Sequence, residues 1–168
     1  MKKLLLIFGA CLLMAGCASV YSWRSKVPEE MRSVAVSTFR NESSMPELGA
    51  VAARQVLREF QREGTFKIGR VGETAVEIQG VVKSCTAGAL TTSRRSTVNL
   101  SACELTAVFE VSIIDKSREK VLVDNRLYTA RATFTSTQDI TTASRDALGR
   151  VSEDLARQVV DDVLNLKW

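Results

Sequence analysis

The sequence has 168 residues, of which 45% are hydrophobic and 25% charged, and its formal net charge is +4. This composition excludes a disordered chain and a disulfide-dense mini-protein, and the length suits one domain. The sequence contains no histidine, which excludes Ser–His and Cys–His nucleophile systems and imidazole metal sites.

The N-terminal segment has the organisation of a bacterial lipoprotein signal. Lys2 and Lys3 form a positive head, and the apolar run after them is shorter than the roughly 20 residues that a membrane-spanning helix needs. The run ends in M-A-G-C, which resembles a lipobox with methionine in place of the usual leucine. We therefore expect residues 1–16 to be removed and Cys17 to carry acyl chains. The alternative is an ordinary signal peptide, with Cys17 incidental.

The first part of the mature chain predicts a tether, a strand and a helix. Residues 17–32 have mixed charge and no clean period, so they are interpreted as a tether that becomes ordered near Pro28. Residues 33–39 are rich in β-forming residues and predict a short strand. The capping-box pattern S-x-x-E at 44–47 predicts the start of a helix that ends at Gly64. Its apolar residues recur at helical spacing, at Leu48, Ala52, Val56 and Phe60.

The middle of the chain alternates with the period of β-strands. We predict strands over 66–71, 75–84, 98–114 and 121–135. The polar stretch 91–97 lies at the tip of a long hairpin, and 115–119 form a charged turn. From Leu105 to Ile113, apolar odd-numbered residues alternate with more polar even-numbered ones, which predicts one buried and one exposed face.

The last element is an amphipathic helix, predicted from Ser144 onward. Its apolar residues step by three and four, at Leu148, Val151, Leu155, Val159, Val163 and Leu166. The order of elements predicts an α+β fold, with two helices packed on one face of a mixed, mostly antiparallel four- to five-stranded sheet. We expect residues 33–168 to form this single domain.

Two cysteines remain for the mature domain, Cys85 and Cys103. Two thiolates without histidine cannot complete a zinc site, so we expect no metal and no other cofactor. An exported compartment is oxidising, and both cysteines are equidistant from Arg94, which favours a disulfide between them. The side-chain period opposes it, because a regular register puts the two thiols on opposite faces. Only a β-bulge near the tip could restore the pairing.

Catalytic patterns are absent from the sequence. No base stands at a known spacing to activate a nucleophile, and no Gly-rich loop joins a strand to a helix. The carboxylate pairs at 153–154 and 161–162 are typical of the solvated side of a helix. No basic stripe is interleaved with aromatic residues, so nucleic acid is not an expected partner. We predict that the protein is not an enzyme.

Several segments carry a family resemblance in the same order along the chain. The opening S-V-A-V-S-T-F-R-N-E-S at 33–43 is similar to the pattern I-A-V-x-x-F-x-N-x-T. The strand A-V-E-I-Q-G-V-V at 75–82 is similar to A-D-x-x-L-x-G-x-I, with Val76 and Glu77 replacing the usual Asp. V-S-I-I-D at 111–115, followed by E-K-V-L, is similar to a V-x-L-x-D…G-K-V-L hairpin. Together with the lipobox, they resemble the LptE family of Gram-negative outer-membrane lipoproteins, which assemble lipopolysaccharide.

The resemblance implies a function that composition and periodicity would not supply. LptE proteins sit in the lumen of the β-barrel translocon LptD and help it deliver lipopolysaccharide to the cell surface. By resemblance, the expected partners are an LptD-like barrel, lipopolysaccharide and the outer-membrane bilayer that holds the acyl chains of Cys17. The protein would face the periplasm and the barrel lumen.

The hairpin tip supplies candidate ligand-binding residues. Adjacent arginines bind phosphate groups bidentately, so Arg94 and Arg95 are our candidates for contact with lipid A phosphates. The alternative is that they are solvated turn residues or contact the barrel wall.

A regulatory or scaffolding lipoprotein is the alternative function. Such periplasm-facing domains bind an envelope enzyme or self-assemble, and they also open with an A-V-x-x-F-x-N strand. The long hairpin with its polar tip favours the LptE interpretation, and the identity of a co-purified partner distinguishes the two.

Overall fold

The computed structural model of the protein describes residues 27–93, 100–136 and 140–168. A 3-10 turn at Glu29–Met31 precedes the first strand. The strands are β1 (Ser33–Val36), β2 (Arg40–Asn41), β3 (Lys67–Ile68), β4 (Val76–Ser93), β5 (Leu100–Asp115) and β6 (Lys120–Ser136). The helices of the described residues are α1 (Leu48–Glu63) and α2 (Ile140–Leu164). None of the helices described is long and apolar enough to cross a membrane.

The strands form one mixed sheet in the order β3-β1-β4-β5-β6, and β2 also pairs with β4. β1 runs parallel to β3 and β4, and β2 runs parallel to β4. β4, β5 and β6 form an antiparallel meander. The buried residues of both helices join one core with one face of this sheet. The predicted α+β class is confirmed. β3 lies within the strand predicted at 66–71, and the two-residue β2 raises the strand count to six.

The alternation predicted for β5 is confirmed. Its odd-numbered residues from Cys103 to Ile113 are buried, whereas the even-numbered ones between them are partly exposed. Tyr128, Ala130, Ala132 and Phe134 continue the buried row on β6. Strict alternation follows because the helices cover only one face of an antiparallel sheet.

The helices follow the predicted pattern, but both begin elsewhere than expected. Leu48, Ala52, Val56 and Phe60 are fully buried, and Gly64 ends α1 with φ of 83° and an amide that donates to the Phe60 carbonyl at 3.1 Å. The predicted capping box is wrong, because Glu47 is the N-cap and makes no side-chain cap bond. The Ser44 hydroxyl donates instead to the Cys85 carbonyl at 3.4 Å. α2 begins at Ile140, one turn before the predicted Ser144.

The packed core also begins before the predicted strand at 33. Val27 and Met31 are both buried and belong to the core cluster. The Arg32 guanidinium donates to the Val27 carbonyl at 3.1 Å. The last part of the predicted tether therefore packs with the domain, in keeping with ordering near Pro28.

The F-x-N pattern of the opening segment joins the sheet to α1. The Phe39 ring lies over Gly80, where an added Cβ would meet ring atoms at 2.6 Å. The Asn41 amide donates to the carbonyls of Met45 and Pro46, which orders the approach to α1. At Gly49 an added Cβ would clash with the Phe39 carbonyl oxygen. Gly80 thus lets the Phe39 ring pack closely on β4, and Gly49 lets α1 approach the backbone of Phe39.

Replacing Gly80 with alanine tests this packing. We expect Gly80→Ala to lower the free energy of unfolding by about 1–3 kcal/mol, because the methyl group overlaps the buried Phe39 ring. Gly88→Ala is the matched control on the same strand, since nothing lies within 4 Å of its added Cβ; we expect a change within about 0.5 kcal/mol. Urea unfolding measures both. Equal stability of the two variants would contradict the close packing.

Candidate partner-binding surface

The predicted site residues lie partly within and partly outside the described ranges. Cys17, Arg94 and Arg95 lie outside the described residues. In sequence, both arginines fall between the end of β4 at Ser93 and the start of β5 at Leu100.

Cys85 and Cys103 are both buried, and no disulfide joins them. A register shift between Val82 and Ser84 reverses the alternation of β4, so that Cys85 and Cys103 are both buried, as a bulge would require. However, Cys85 pairs with Ala107, four residues from Cys103, or about 14 Å along the strand. A disulfide requires Cα atoms within about 7 Å. The predicted disulfide is therefore incompatible with this register.

Beyond the bulge, the meander continues as a three-stranded extension, here called the distal arm. It comprises residues 84–93 of β4, 100–108 of β5 and 129–136 of β6. Within the described ranges, β2 pairs with β4 only as far as Val82, so β4 changes there from an inner strand to an edge strand. The arm therefore has two edges, one on β4 and one on β6.

Side chains of α2 cover part of the β6 edge. The Asp154 carboxylate accepts a hydrogen bond from the Arg131 backbone amide at 3.0 Å. The Gln158 amide donates to the Thr129 carbonyl at 3.2 Å. The sequence pattern places Asp154 on the solvated side of the helix. Its hydrogen bond to the β6 backbone depends on the position of the neighbouring strand, which the pattern does not predict. These bonds satisfy backbone groups that an edge strand otherwise exposes.

A second contact holds α2 on β6. The Tyr128 hydroxyl donates to Asp162 Oδ2 at 2.6 Å, and Arg126 Nη1 lies 3.0 Å from the same oxygen. The Arg126 guanidinium also lies 5.6 Å from the Tyr128 ring centroid. Burial, together with the hydrogen bond to Asp162, raises the pKa of Tyr128 well above its ordinary value. The tyrosine therefore stays a neutral donor throughout the physiological range.

The sheet face away from the helices is polar and shallow. It contains a depression of about 520 Å³, whose lining includes Ser37, Thr38, Gln79, Glu110, Ser112 and Asn125. Beside it, the buried Glu77 carboxylate accepts hydrogen bonds from Ser37 at 3.0 Å and Gln79 at 2.9 Å. The Lys116 ammonium lies 3.8 Å from its other oxygen. This face offers hydrogen-bonding groups to a partner without leaving the Glu77 charge unpaired.

Exposed ion pairs surround the base of the distal arm. Arg40 and Lys83 each approach Glu42 to 2.8 Å. The hydrogen bond from Lys83 lowers the pKa of the Glu42 carboxyl, and the same bond raises the pKa of Lys83. Both shifts favour the charged forms of Glu42 and Lys83, and one carboxylate thus pairs with two basic side chains.

The polar side chains on the described surface take part in hydrogen bonds and ion pairs. Among the residues that the structure describes, no group of three or more Cys, Asp or Glu side chains could hold a metal ion. Burial raises the pKa of the Cys85 thiol, which makes it a poor nucleophile at neutral pH. The surface combines a polar sheet face with exposed strand backbone, both of which offer hydrogen-bonding groups.

Comparison with known proteins identifies both family and fold. The family model described as LptE, Lipopolysaccharide-assembly, matches residues 31–163. A sequence comparison with curated proteins finds no match.

Three solved structures are similar to this chain at low sequence identity. A Helicobacter pylori homologue of the neuraminyllactose-binding hemagglutinin has a TM-score of 0.52 at 7% identity, covering 82% of this chain and 86% of that one. A hypothetical protein from Chlamydia trachomatis has a TM-score of 0.51 at 12% identity, covering 80% and 96%. A lipoprotein from Caulobacter crescentus has a TM-score of 0.49 at 14% identity, covering 80% and 90%. At these identities the first two likenesses concern the fold alone.

The state of the two thiols follows from the strand register. We expect the mature protein, unfolded without reductant, to react with an alkylating agent at both Cys85 and Cys103. Alkylation of the folded protein should be slow, because both thiols are buried and burial raises the pKa of Cys85. Mass spectrometry before and after reduction counts the labels. Labels that appear only after reduction would show a disulfide and a register different from this one.

Proposed function

The chain belongs to the LptE lipopolysaccharide-assembly family, and on this premise we propose that it is an outer-membrane lipoprotein that plugs and assists an LptD-like β-barrel translocon. The observation that carries the proposal is the extent of the family match. Residues 31–163 include all six strands and both helices except the last residue of α2. The match therefore concerns the whole packed domain and not a single motif.

The surface of the domain agrees with the proposed role. A plug must fill a lumen without aggregating, so it needs a rigid core and an outside that hydrogen-bonds. The helices bury the apolar face of the sheet, and the opposite face has the polar depression and the paired Glu77. Such a role requires no catalytic group.

The proposed anchor is the N-terminal cysteine of the mature protein. Residues 1–16 are the proposed signal peptide and residues 17–32 the lipidated tether, which packs with the LptE-like domain of residues 33–168 from Val27 onward. Two or more acyl chains on Cys17 anchor stably, at about 0.8 kcal/mol per buried methylene. The domain then faces the periplasm and the barrel lumen. Lipopolysaccharide is the proposed ligand, and Arg94 and Arg95 are its proposed contacts.

Co-purification tests the proposed partnership. The full-length protein with a C-terminal tag is isolated from mildly solubilised outer membranes of its native host. We expect one stoichiometric partner whose migration in gel electrophoresis changes on heating, as that of a β-barrel does. An envelope enzyme as the stoichiometric partner, or a ring of this chain alone, would support the regulatory or scaffolding function instead.

If Cys17 is the lipidated residue, replacing it should abolish acylation of the protein. In Cys17→Ser the thiol that accepts the diacylglyceryl group is gone, so labelled palmitate should not be incorporated. The precursor should then stay unprocessed, or the protein should leave the membrane if another peptidase cuts it. Gel autoradiography with membrane fractionation measures both, and Cys85→Ser is the control because its thiol is buried. Unchanged palmitate labelling of Cys17→Ser would refute the anchor.

Lipopolysaccharide binding at the hairpin tip is tested by removing two charges. We expect Arg94→Gln with Arg95→Gln to weaken binding of purified lipopolysaccharide about tenfold or more, in a salt-sensitive manner, because two charge-assisted phosphate contacts are lost. Association with the barrel should persist. Binding is measured by titration of the tagged protein in detergent.

The control for this pair must lose the same charge without losing stability. Lys116 and Arg118 are unsuitable, because they lie within 4 Å of Glu77 and of the fully buried Asp115. Arg54→Gln with Arg58→Gln is better matched, since both arginines are exposed on α1. Equal weakening by the two double variants would show that net charge, and not the tip, governs binding.

A further inference from the structure

The two edges of the distal arm are treated differently by the rest of the protein. On β6, two side chains of α2 form hydrogen bonds with the strand backbone: Asp154 accepts from the Arg131 amide, and Gln158 donates to the Thr129 carbonyl. On β4, the Ser44 hydroxyl reaches the Cys85 carbonyl at 3.4 Å, and no strand of the described residues pairs with the edge beyond that point. The helix thus covers one edge and leaves the other open.

The open edge presents backbone groups at known positions. The Cys85 carbonyl points outward, since it accepts the hydrogen bond from Ser44. Backbone groups of alternate residues in a strand point the same way, so the N–H and C=O of Ala87 point outward too. Ala87, Gly88 and Leu90 are exposed, and the first two are too small to shield the backbone. An approaching strand therefore meets hydrogen-bonding groups and little side-chain bulk.

Natural edge strands usually carry features that prevent pairing, such as charges and proline. Between Lys83 and Arg94 the sequence is S-C-T-A-G-A-L-T-T-S, which contains no charge and no proline. β-Bulges also disturb pairing. Register shifts lie at the two ends of this stretch, between Val82 and Ser84 and between Ala89 and Thr91. The stretch from Ser84 to Ala89 remains regular and uncharged.

We propose that the distal edge of β4, residues 84–90, is a strand-addition site that binds an extended segment of the barrel partner. This inference rests on the proposed function and specifies where the partner docks. Main-chain hydrogen bonds would supply the contact, and the small residues at Ala87 and Gly88 would let the partner backbone approach. The absence of charge on the edge favours an uncharged partner segment, because a charged one would lose solvation without gaining an ion pair.

The size of the edge argues against a second copy of this chain as its occupant. Seven residues span about 24 Å, and a single short strand with small side chains provides far less than the roughly 1,200–2,000 Å² typical of stable interfaces. Such a contact forms readily only where other contacts already hold the two proteins together. Those contacts raise the effective concentration of the partner strand near the β4 edge. A barrel that encloses the domain meets that condition.

Proline substitutions on the two edges provide a matched test. Ala87→Pro removes an N–H that points outward and puts a proline ring on the open edge. The hydrogen bonds between β4 and β5 are unaffected, because that N–H does not point toward β5. Thr133→Pro is the control: it lies on the same arm, and by alternation from Arg131 its N–H also points outward, but on the β6 edge. We expect Ala87→Pro to retain about tenfold less of the co-purifying barrel, and Thr133→Pro to change retention less than about twofold. Circular dichroism and thermal unfolding check the fold of both.

A photo-crosslinking amino acid at Ala87, compared with one at Thr133, keeps the proposal testable if proline disturbs the arm. An adduct between position 87 and the barrel that co-purifies with the unmodified protein supports the proposal. An adduct joining two copies of this chain, or no adduct from position 87 while the barrel still co-purifies, overturns it. A folded Ala87→Pro variant that retains the barrel fully also overturns it. Failure of the proposed function appears earlier and separately, because the unmodified protein would then bring down no barrel.

Discussion

Most of this architecture depends on what happens to β4 at Val82, where its pairing with β2 ends and a β-bulge follows. Up to that residue β4 is an inner strand, with β1 and then β2 on one side and β5 on the other. The side chains of Val76, Ile78 and Val82 face the core. The bulge at Lys83 reverses the alternation just where β2 ends, so Cys85 joins the core. The same point begins the distal arm, whose strands continue the core row beneath α2. Without the bulge, β4 beyond it would turn polar side chains toward the core.

α2 has two functions in this arrangement. Its apolar stripe completes the core, and its carboxylates at Asp154 and Asp162 contact the backbone and side chains of β6. A helix that lies over one edge of a meander leaves the other edge open. The asymmetry follows from where the helices pack, because α1 contacts β1, β2, β3 and β4, whereas α2 contacts β5 and β6.

Much of the fold could be predicted from local patterns. β5 and both helices repeat with clear periods, so the sequence alone predicts their buried faces correctly. β2 has only two residues and leaves no periodic signal, whereas β3 lies within the strand predicted at 66–71 but has only two residues. The cysteine register depends on bulges, which shift pairing without a marked change in residue type. The second role of Asp154 depends on its proximity to Arg131, which lies 23 residues away. Patterns within one element thus predict burial, whereas contacts between elements depend on how the elements pack.

The most direct test of the central claim is the location of newly made lipopolysaccharide after depletion of this protein in its native host. Pulse-labelled lipopolysaccharide is followed between the inner membrane and the cell surface, with re-expression of the full-length chain as the restored state. If the protein assists the translocon, label accumulates before the outer leaflet on depletion, and re-expression restores its delivery. Normal delivery to the surface in depleted cells would contradict the account.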